Sequence, residues 1–325
     1  MRVLVVGGAG YIGSVTVDQL LADGHEVTVL DSLVSGHRQA VSPEAEFVEG
    51  DVRDEDALGR LFASHSFDAV VFYGGFIQAG ESVRQPGRYF ANNIGGCVAL
   101  LNAMSAYAAG RFVFSSSAAV YGEPESIPLT EDAAIRPVNP YGESKAMVER
   151  MLPWYERQAG IHSVSLRYFN AAGATETRGE DHRPESHLIP IVLQVALGQR
   201  PALPLYGRDY PTADGTCIRD YVHVSDLAAA HRLALRRAEE GSGFYNLGNG
   251  LGFSNLEVIE TARRVTGRAI AVNDEPRREG DPAMLVASHE RAQRELGWEP
   301  QVPDLEAIIE SAWRWHQAHP QGYPD

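Results

Sequence analysis

A tyrosine and a lysine stand four positions apart in the sequence Pro-Tyr-Gly-Glu-Ser-Lys, as Tyr141 and Lys145. Proline favours the first turn of a helix, and residues four apart lie on the same helix face. A buried ammonium group beside a phenol favours the phenolate and lowers the phenol pKa from its usual value of about 10. The spacing therefore predicts that Tyr141 is a general base whose pKa is set by Lys145.

Ser117 closes a run of three serines that follows a predicted strand at residues 111–114. Active sites of open α/β sheets lie at the carboxyl ends of the strands, so Ser117 is expected to hydrogen-bond an alcohol or a ketone. A tyrosine four residues before a lysine also occurs by chance, as a surface tyrosine with a solvated lysine. The catalytic interpretation therefore depends on the motif that comes first in the chain.

That motif is Gly-Gly-Ala-Gly-Tyr-Ile-Gly, which follows the first predicted strand and opens the first predicted helix. Gly7 permits the tight turn, Gly10 lets the backbone approach a pyrophosphate, and Gly13 lets helix and strand pack closely. The start of the helix, at Tyr11 and Ile12, supplies backbone N–H donors and the positive end of the helix dipole. The G-x-x-G-x-x-G spacing points to the extended short-chain dehydrogenase/reductase family.

Asp31 ends the second predicted strand, where its carboxylate can accept hydrogen bonds from the adenosine ribose and would repel a 2′-phosphate. The nearest arginine is Arg38, after a gap, so NAD is favoured over NADP. Asp51 and Val52 follow the third strand, where such folds contact the adenine. The alternative is a glycine turn and a strand-capping aspartate in a sheet that binds nothing, which the combined context disfavours.

Short apolar segments alternate with longer amphipathic ones in the first half of the chain, which predicts a parallel sheet covered on both faces. Predicted strands are residues 2–6, 26–30, 45–48, 69–72, 111–114 and 163–167, and predicted helices are residues 12–22, 55–64, 92–109, 141–158, 187–197, 225–239, 255–266 and 305–318. The expected fold class is α/β, a doubly wound, Rossmann-like sheet with a smaller α/β substrate lobe. We expect an NAD-binding domain at residues 1–169, to which some later chain returns, and a substrate-binding domain at residues 170–325.

The 325 residues carry 28 Lys and Arg against 43 Asp and Glu, a net charge of −15. Nucleic-acid binding needs a basic face for phosphate contacts, so we expect no nucleic-acid partner. The apolar run at residues 3–6 is far too short for a membrane span and lacks the cleavage pattern of a signal peptide, which predicts no membrane partner and a cytoplasmic protein. Cys97 and Cys217 lack metal-ligand spacing, so we expect buried thiols and no metal.

Motifs shared with a known family continue along the rest of the chain. They are Ser-Ser-Ser-Ala-Ala-Val-Tyr-Gly at 115–122, Pro-Tyr-Gly at 140–142, Arg-Tyr-Phe-Asn at 167–170, Asp-Tyr-Val-His-Val at 220–224, Tyr-Asn-Leu-Gly at 245–248 and Arg-Arg-Glu-Gly-Asp at 277–281. In this order they resemble the signatures of the UDP-glucose 4-epimerases, and the ending at 319–325 is similar to that of some members. Several motifs lie in the predicted substrate lobe, which takes the resemblance beyond the fold alone.

The resemblance implies a UDP-sugar substrate whose C4 hydroxyl is inverted with the help of an NAD that never leaves. Tyr141 would take the proton of the 4-hydroxyl while hydride passes from C4 to the cofactor, and the 4-keto sugar would turn and take the hydride back on its other face. Implied cofactor contacts are Gly7, Gly10, Tyr11, Ile12, Gly13, Asp31, Ser32, Asp51, Val52, Tyr73, Gly74, Gly75, Asn92, Ser115, Tyr141, Lys145 and Tyr168; implied substrate contacts are Ser117, Tyr141, Asn170, His187, Leu188, Tyr206, Arg219, Arg278, Asp281 and Leu285.

Among the implied substrate contacts, Arg219 and Arg278 suit the pyrophosphate and Asp281 suits a ribose, although structural salt bridges are the alternative for the arginines. Leu285, or Met284 if the alignment shifts by one residue, stands where the family's pocket wall sets the acceptance of N-acetylated sugars; alternatively, Leu285 only packs in the core of the lobe. The family also implies a homodimer, which would pack the predicted helices at residues 92–109 and 141–158.

Several residues depart from the family pattern. Many members carry a histidine at Phe72, and some carry a lysine at Ile77. If that lysine helps to hold the cofactor, Ile77 puts tight retention of NAD in doubt. Ala119 replaces a common threonine, and His187 stands where several members have an asparagine near the phosphates.

Three other functions compete with C4 epimerisation. Sugar-nucleotide dehydratases share the fold, but they need an Asp-Glu acid pair where this chain has Ala118 and Ala119, and alanines cannot transfer protons. UDP-glucuronate-type epimerases or decarboxylases would need groups for a C6 carboxylate, which the sequence does not reveal. A regulator that senses NAD without turnover has no need for Tyr141, Lys145 and Ser117 together.

Overall fold

The strands and helices of the computed structural model, which describes residues 1–278 and 281–324, alternate along the first half of the chain. The strands are β1 (Arg2–Val6), β2 (Glu26–Asp31), β3 (Glu46–Glu49), β4 (Ala69–Phe72), β5 (Arg111–Ser117), β6 (His162–Tyr168), β7 (Asn170–Ala172), β8 (Leu203–Tyr206), β9 (Ile218–Arg219), β10 (Tyr221–His223), β11 (Gly243–Leu247), β12 (Phe253–Ser254), β13 (Val272–Glu275) and β14 (Met284–Leu285). The helices are α1 (Tyr11–Ala22), α2 (Glu55–Ser64), α3 (Ala79–Arg84), α4 (Pro86–Tyr89), α5 (Gly96–Ala106), α6 (Pro140–Ala159), α7 (Leu188–Ala196), α8 (Val224–Glu240), α9 (Asn255–Thr266), α10 (Glu290–Leu296) and α11 (Leu305–Ala318).

The described residues form one seven-stranded parallel sheet in the order β11-β6-β5-β4-β1-β2-β3. Successive side chains of a strand face opposite sides of the sheet, and in β1 Val3 and Val5 enter one apolar cluster while Leu4 and Val6 enter another. Helices α1 and α8 contribute to the first cluster, and α2, α5 and α6 contribute to the second. The sheet is therefore doubly wound and Rossmann-like, and the predicted fold class is confirmed.

The order of strands reverses between β1 and β4, which opens a crevice at their carboxyl ends. The glycine motif follows β1, and Ser115 to Ser117 form the end of β5, which runs further than predicted. All six predicted strands belong to this sheet, and β11 pairs with β6 as the later chain that was expected to return. Helix α8 also returns and packs against α1.

The helix predicted at residues 92–109 differs from the structure in both its start and its end. Residues Phe90–Gly95 form a π-helical turn that leads into α5, and α5 ends at Ala106. Ala108 adopts a positive φ of 57°, which stops the helix before the predicted end. A π-helical turn does not follow the period of 3.6 residues. The sequence pattern therefore predicted the wrong side-chain directions at the start of this helix.

The smaller lobe packs α7, α9 and α11 around its own apolar core, with Val192, Ile259 and Ile308 at its centre. Short strands join this core to the crevice, since β9 pairs with both β12 and β14. Both cysteines are free and buried, as predicted. Within residues 1–278 and 281–324, no helix combines the length and the apolar character needed to cross a membrane.

Candidate active site

The glycine loop between β1 and α1 makes a turn that tolerates no side chains. Gly7 has a φ of +81°, in the left-handed region that glycine adopts without strain. A Cβ on Gly13 would lie 2.3 Å from the carbonyl oxygen of Gly7, so the helix can approach the loop only without a side chain there. Helix α1 follows Gly10 without a side-chain cap, and the N–H groups of its first residues, including Tyr11 and Ile12, have no acceptor within the helix. This cradle fits a dinucleotide pyrophosphate.

Asp31 turns its carboxylate towards the glycine loop. Its Oδ2 accepts a hydrogen bond of 2.9 Å from the Ala9 N–H, and its Oδ1 accepts one of 2.9 Å from the Leu33 N–H. Burial raises the pKa of Asp31, and these hydrogen bonds act in the opposite direction. The position beside the loop suits the predicted ribose contact and disfavours a 2′-phosphate.

For the other residues predicted to contact the adenosine, the structure gives weaker support. Ser32 is exposed just after β2. Asp51 accepts two hydrogen bonds from Arg53 Nε, at 2.9 and 3.1 Å. Val52 is buried against α5, where its Cγ1 would lie 2.6 Å from a Cβ on Gly96. The adenine contacts of Asp51 and Val52 stay predictions.

Helix α6 presents Tyr141 and Lys145 to the carboxyl ends of the central strands. Asn139 caps the helix, with its Oδ1 accepting a hydrogen bond of 2.9 Å from the Gly142 N–H, and Pro140 occupies the first helical position. Both features begin the helix at the residue before Tyr141. Tyr141 and Lys145 therefore lie one turn apart on the face that meets β5.

Lys145 is buried and reaches the end of β5 with its ammonium group. Its Nζ donates a hydrogen bond of 2.6 Å to the Ser115 carbonyl oxygen and lies 5.0 Å from the ring centre of Phe114. Burial lowers the pKa of Lys145 to about 8, so the amine is still mostly protonated near neutral pH. The backbone of β5 thus fixes the position of this charge.

The expectation that Lys145 lowers the pKa of Tyr141 is wrong for this arrangement. Burial raises the pKa of Tyr141 above its usual value, and the opposing contribution is a hydrogen bond with Ser117. The ammonium nitrogen of Lys145 lies 5.9 Å from the ring centre of Tyr141 and is engaged by Ser115. Ser117, which was predicted to contact substrate, is the group in contact with the tyrosine hydroxyl.

The segment after β4 lies opposite Lys145 and is held there by a buried asparagine. A Cβ on Gly75 would lie 3.5 Å from Lys145 Nζ, so the absence of a side chain leaves room beside the amine. Asn93 Oδ1 accepts a hydrogen bond of 2.8 Å from the Phe76 N–H, and Asn93 Nδ2 donates to the Phe76 carbonyl at 3.0 Å and to Ser144 Oγ at 3.1 Å. Asn93 therefore ties this segment to α6.

Sequence reasoning missed Asn93 and Ser144 and chose the neighbouring Asn92. Asn92 Nδ2 lies 3.5 Å from the Gly74 carbonyl oxygen and 3.1 Å from Asn93 Oδ1, so Asn92 touches the same segment more weakly. Because the π-helical turn displaces the face that a regular helix would bury, spacing alone could not choose between two adjacent asparagines. Ile77, at the position of the family's lysine, is 39% exposed.

Two predicted cofactor contacts, Tyr73 and Tyr168, have their hydroxyls engaged within the protein. Tyr73 shares a hydrogen bond of 2.6 Å with Thr16, and Tyr168 shares one with Ser115. The ring centres of Tyr73 and Tyr168 lie 4.7 and 5.9 Å from that of His231. Burial lowers the pKa of His231 to about 4, so its imidazole is neutral. Tyr73 and Tyr168 can therefore contact a cofactor through the faces and edges of their rings.

The substrate lobe brings three of its predicted residues together by strand pairing. Leu285 lies opposite Arg219 in the β14–β9 register, and Arg219 forms an ion pair with Asp281. Arg278 lies over the ring of Tyr206, with its guanidinium carbon 3.9 Å from the ring centre. Glu279 and Gly280 of the same motif lie outside the described residues.

The remaining predicted substrate residues lie on nearby segments. Asn170 Nδ2 donates a hydrogen bond of 2.9 Å to the Asp220 carbonyl oxygen. Leu188 is the first residue of α7 and packs against the core of the lobe. His187 precedes it, and its Nδ1 lies 2.8 Å from carboxylate oxygens of both Glu180 and Glu185. In the structure His187 therefore contacts two carboxylates, which the sequence did not predict.

Comparison with known proteins agrees with this geometry. Residues 3–248 match the profile of the NAD dependent epimerase/dehydratase family. The chain belongs to this family. The UDP-glucose 4-epimerase of Halalkalibacterium halodurans is 53% identical over 99% of this chain and 98% of its own length. That of Lacticaseibacillus casei is 50% identical over 100% of this chain and 99% of its own length.

Solved structures extend the comparison to three dimensions. The crystal structure of UDP-glucose 4-epimerase from Bifidobacterium longum in complex with NAD⁺ and UDP has a TM-score of 0.95 and 37% identity to this chain. That match covers 99% of this chain and 100% of the other. The resemblance drawn from the motifs is thus confirmed, and membership of the NAD dependent epimerase/dehydratase family confirms NAD as the cofactor.

Proposed function

We propose that this protein interconverts UDP-glucose and UDP-galactose by inverting the hydroxyl at sugar C4, with NAD held throughout the reaction. The observation that carries the proposal is the meeting of Tyr141, Ser117 and Lys145 at the crevice beside the glycine loop. The relatives in Halalkalibacterium halodurans and Lacticaseibacillus casei, which match over almost the whole chain, support the same activity.

Each residue of the site has its own role in the proposed reaction. Tyr141 accepts the proton of the 4-hydroxyl as its phenolate, which the hydrogen bond with Ser117 favours against the effect of burial, and Ser117 holds the reacting oxygen in place. Lys145, fixed by the Ser115 carbonyl, would hold the nicotinamide ribose and keeps a positive charge nearby. When bound by the glycine loop, Asp31 and Lys145, NAD would supply the redox chemistry, which is the reversible removal of hydride from C4 of the sugar. Tyr141 returns its proton to the inverted oxygen.

The nucleotide part of the substrate is bound by the smaller lobe. Arg219 and Arg278 face the pyrophosphate, and Asp281 binds a ribose after exchanging part of its ion pair with Arg219. These arginines supply the local positive charge that an anionic substrate needs in a protein with a net charge of −15. The sugar turns about this fixed pyrophosphate between the two hydride transfers.

The chain forms a homodimer in this proposal, with α5 and α6 at the interface. Trp154 and Met147 lie seven residues apart on α6, on one face, and are 65% and 38% exposed. Apolar side chains exposed together mark a surface that a partner covers. Trp154→Glu should yield a monomer in sedimentation velocity, and Val34→Glu, at an equally exposed apolar residue, should leave the dimer intact.

The two halves of the chain have separate tasks in the proposed reaction. Residues 1–169, together with the returning α8 and β11, bind NAD, and residues 170–325 supply the UDP-sugar contacts. In this proposal the protein acts in the cytoplasm. The boundary at residue 169 follows the end of β6, the last strand before the smaller lobe begins.

Incubation with UDP-galactose, followed by separation of the products, tests the proposed activity. UDP-glucose should appear without any NAD being added, since the cofactor is regenerated in each turnover. Denatured protein should release NAD and not NADP, because Asp31 lies beside the ribose site. Release of NADP would contradict the role of Asp31, and failure to convert UDP-galactose would contradict the proposed function.

A further inference from the structure

Two glutamates and two histidines converge within a single short segment before α7. Glu180, His182, Glu185 and His187 follow the pattern Glu-x-His-x-x-Glu-x-His, and their ligand atoms all lie within 4.8 Å of one another. The segment lies between β7 and α7. The proposed reaction uses none of these residues, and only His187 was among the implied substrate contacts.

The contacts inside this Glu/His cluster are short and come from both carboxylates. His187 Nδ1 lies 2.8 Å from an oxygen of Glu180 and 2.8 Å from an oxygen of Glu185. His182 Nδ1 lies 3.1 Å from Glu180 and 3.7 Å from Glu185. Each imidazole therefore directs the same nitrogen, Nδ1, to the centre of the cluster.

Glu185 Oε1 accepts hydrogen bonds from the backbone N–H groups of Ser186 and His187 at 2.7 and 2.8 Å, but the contacts of His187 Nδ1 with two carboxylates are not both simple hydrogen bonds. A ring nitrogen carries at most one hydrogen, yet Nδ1 of His187 faces two carboxylate oxygens at the same distance of 2.8 Å. The Glu180 and Glu185 side chains are only 6% and 3% exposed, so hydration by water stabilises their negative charges little. A cation at the centre would contact all four donors at once.

We propose that Glu180, His182, Glu185 and His187 form a binding site for a divalent transition-metal ion of the Zn²⁺ type. Zn²⁺ binds imidazole nitrogen and carboxylate oxygen at about 2.0–2.2 Å in tetrahedral geometry, which sets neighbouring ligands about 3.4 Å apart. The observed separations of 2.8, 3.1 and 3.7 Å surround that value. The mixed N and O donors favour Zn²⁺ over Ca²⁺ or Mg²⁺, which prefer oxygen alone.

The position of the Glu/His cluster gives the ion a structural task. The Tyr11 hydroxyl, at the start of α1, donates a hydrogen bond of 2.6 Å to the Gly173 carbonyl, and the Tyr11 ring packs edge-on against His182. Beside the cluster, the Asp181 carbonyl lies 2.9 Å from His37 Nε2, in the loop after β2. An ion in the cluster would hold this segment against the glycine loop, and the 40% exposed side chain of His187 gives it a route from solvent.

Metal analysis of the full-length protein tests the site without reference to activity. Protein purified without a metal-binding tag is treated with chelator, equilibrated with ZnCl₂ and dialysed, and the retained zinc is counted by mass spectrometry. We expect about one Zn²⁺ per chain. Co²⁺ in place of Zn²⁺ should give the intense visible absorption of a tetrahedral site.

His182→Ala and Glu185→Gln should each lower the retained zinc by about tenfold or more, since each removes one ligand. His65→Ala is the matched control, because His65 forms a comparable pair of 3.0 Å with Glu46 at the surface, and it should retain zinc fully. Wild-type protein that retains less than about 0.2 Zn²⁺ per chain would overturn the proposal whatever the variants do. Full retention by folded His182→Ala/Glu185→Gln protein, with folding checked by circular dichroism, would overturn it as well.

Discussion

The two sides of the crevice hold their functional groups in different ways. On the sheet side, Lys145 is fixed by a backbone carbonyl and α6 by an Asn139 cap, so positions follow from regular elements. On the lobe side, Arg219 and Asp281 bind each other and lie on or beside strands of two residues. The first arrangement is preorganised for chemistry, whereas the second must exchange internal contacts for substrate contacts.

A buried ion pair reinforces the sheet side. Arg167 in β6 donates to both oxygens of Glu149 in α6, with Nε–Oε1 at 2.9 Å and Nη2–Oε2 at 2.6 Å. Ser116 donates to the same carboxylate at 2.6 Å, and Tyr121 accepts from Arg167 Nη1 at 2.8 Å. Fully hydrogen-bonded networks of this kind make a site rigid. We therefore expect substitutions on the sheet side to act on turnover and those on the lobe side to act on substrate affinity.

Tyr141→Phe should produce the largest effect. Removing the hydroxyl removes the general base, which typically contributes about 10²–10⁴-fold to turnover. The ring and the helix remain, so the variant should keep its NAD. Turnover is measured with UDP-galactose, and bound NAD is measured after denaturation.

Tyr155→Phe is the control for that substitution, because the Tyr155 hydroxyl lies on the same helix and bonds Asn102 at 2.9 Å, away from the crevice. Its turnover should stay close to that of the wild type. Near-normal turnover in Tyr141→Phe would assign the base to another group, with Ser117 the first to examine.

Gly13→Ala should produce the next largest effect, which is weaker binding of the cofactor. The new Cβ would lie 2.3 Å from the Gly7 carbonyl oxygen, an overlap that the backbone can relieve only by opening the loop. We expect NAD binding to weaken by about tenfold or more, because overpacking of this kind typically costs about 1–3 kcal/mol. Gly59→Ala is the control, since a Cβ at Gly59 in α2 has no neighbour within 4 Å. Equal NAD content in the two variants would contradict the close-packing role of Gly13.

The sheet side was predictable because its signals are local. The glycine motif, the proline before Tyr141 and the short apolar strands each specify structure within a few residues. The pKa relation of Lys145 and Tyr141 was not predictable, since it depends on the Ser115 carbonyl, which the fold brings to the amine from another strand. Asn93 was missed because a π-helical turn changes which side chain is buried.

The lobe side was predictable as a set of residues but not as an arrangement. The family resemblance named Arg219 and Asp281, yet their ion pair joins residues 62 apart in the chain and arises only from folding. His187 is implied as a substrate contact by its place in the family pattern, and that pattern does not show that Glu180 and Glu185 fold back onto it. Spacing reveals contacts within one element, whereas such contacts depend on how segments meet.

Arg219→Ala should raise the KM for UDP-galactose more than it lowers kcat. Hydrogen bonds to charged groups contribute about 1.5–3 kcal/mol, which corresponds to an increase in KM of about 10- to 150-fold. The pyrophosphate is bound equally before and during the reaction, so the loss falls on binding. Arg208→Ala, which removes a surface ion pair of 2.7 Å with Asp274, is the control and should leave KM unchanged. A fall in kcat at constant KM would assign Arg219 a role in the chemical step. It would contradict the expected difference between the sheet side and the lobe side.

Leu285→Tyr should produce the smallest and most selective effect. Leu285 is partly buried beside a cluster that contains Ala118 and Phe169 at the ends of β5 and β6, and it lies opposite Arg219 in the strand register. Leucine is smaller than tyrosine, so the wild type should convert UDP-N-acetylglucosamine measurably but more slowly than UDP-glucose. The tyrosine should abolish the slower reaction and spare the faster one, since misfits of this size in a pocket typically discriminate by about 10- to 200-fold. Met284→Tyr is the matched control: Met284 precedes Leu285 in β14 and points to the opposite face, so its replacement should leave the ratio of the two activities unchanged. Wild-type protein without activity on the N-acetylated sugar, or a Leu285→Tyr variant with an unchanged ratio, would mean that Leu285 only packs in the lobe.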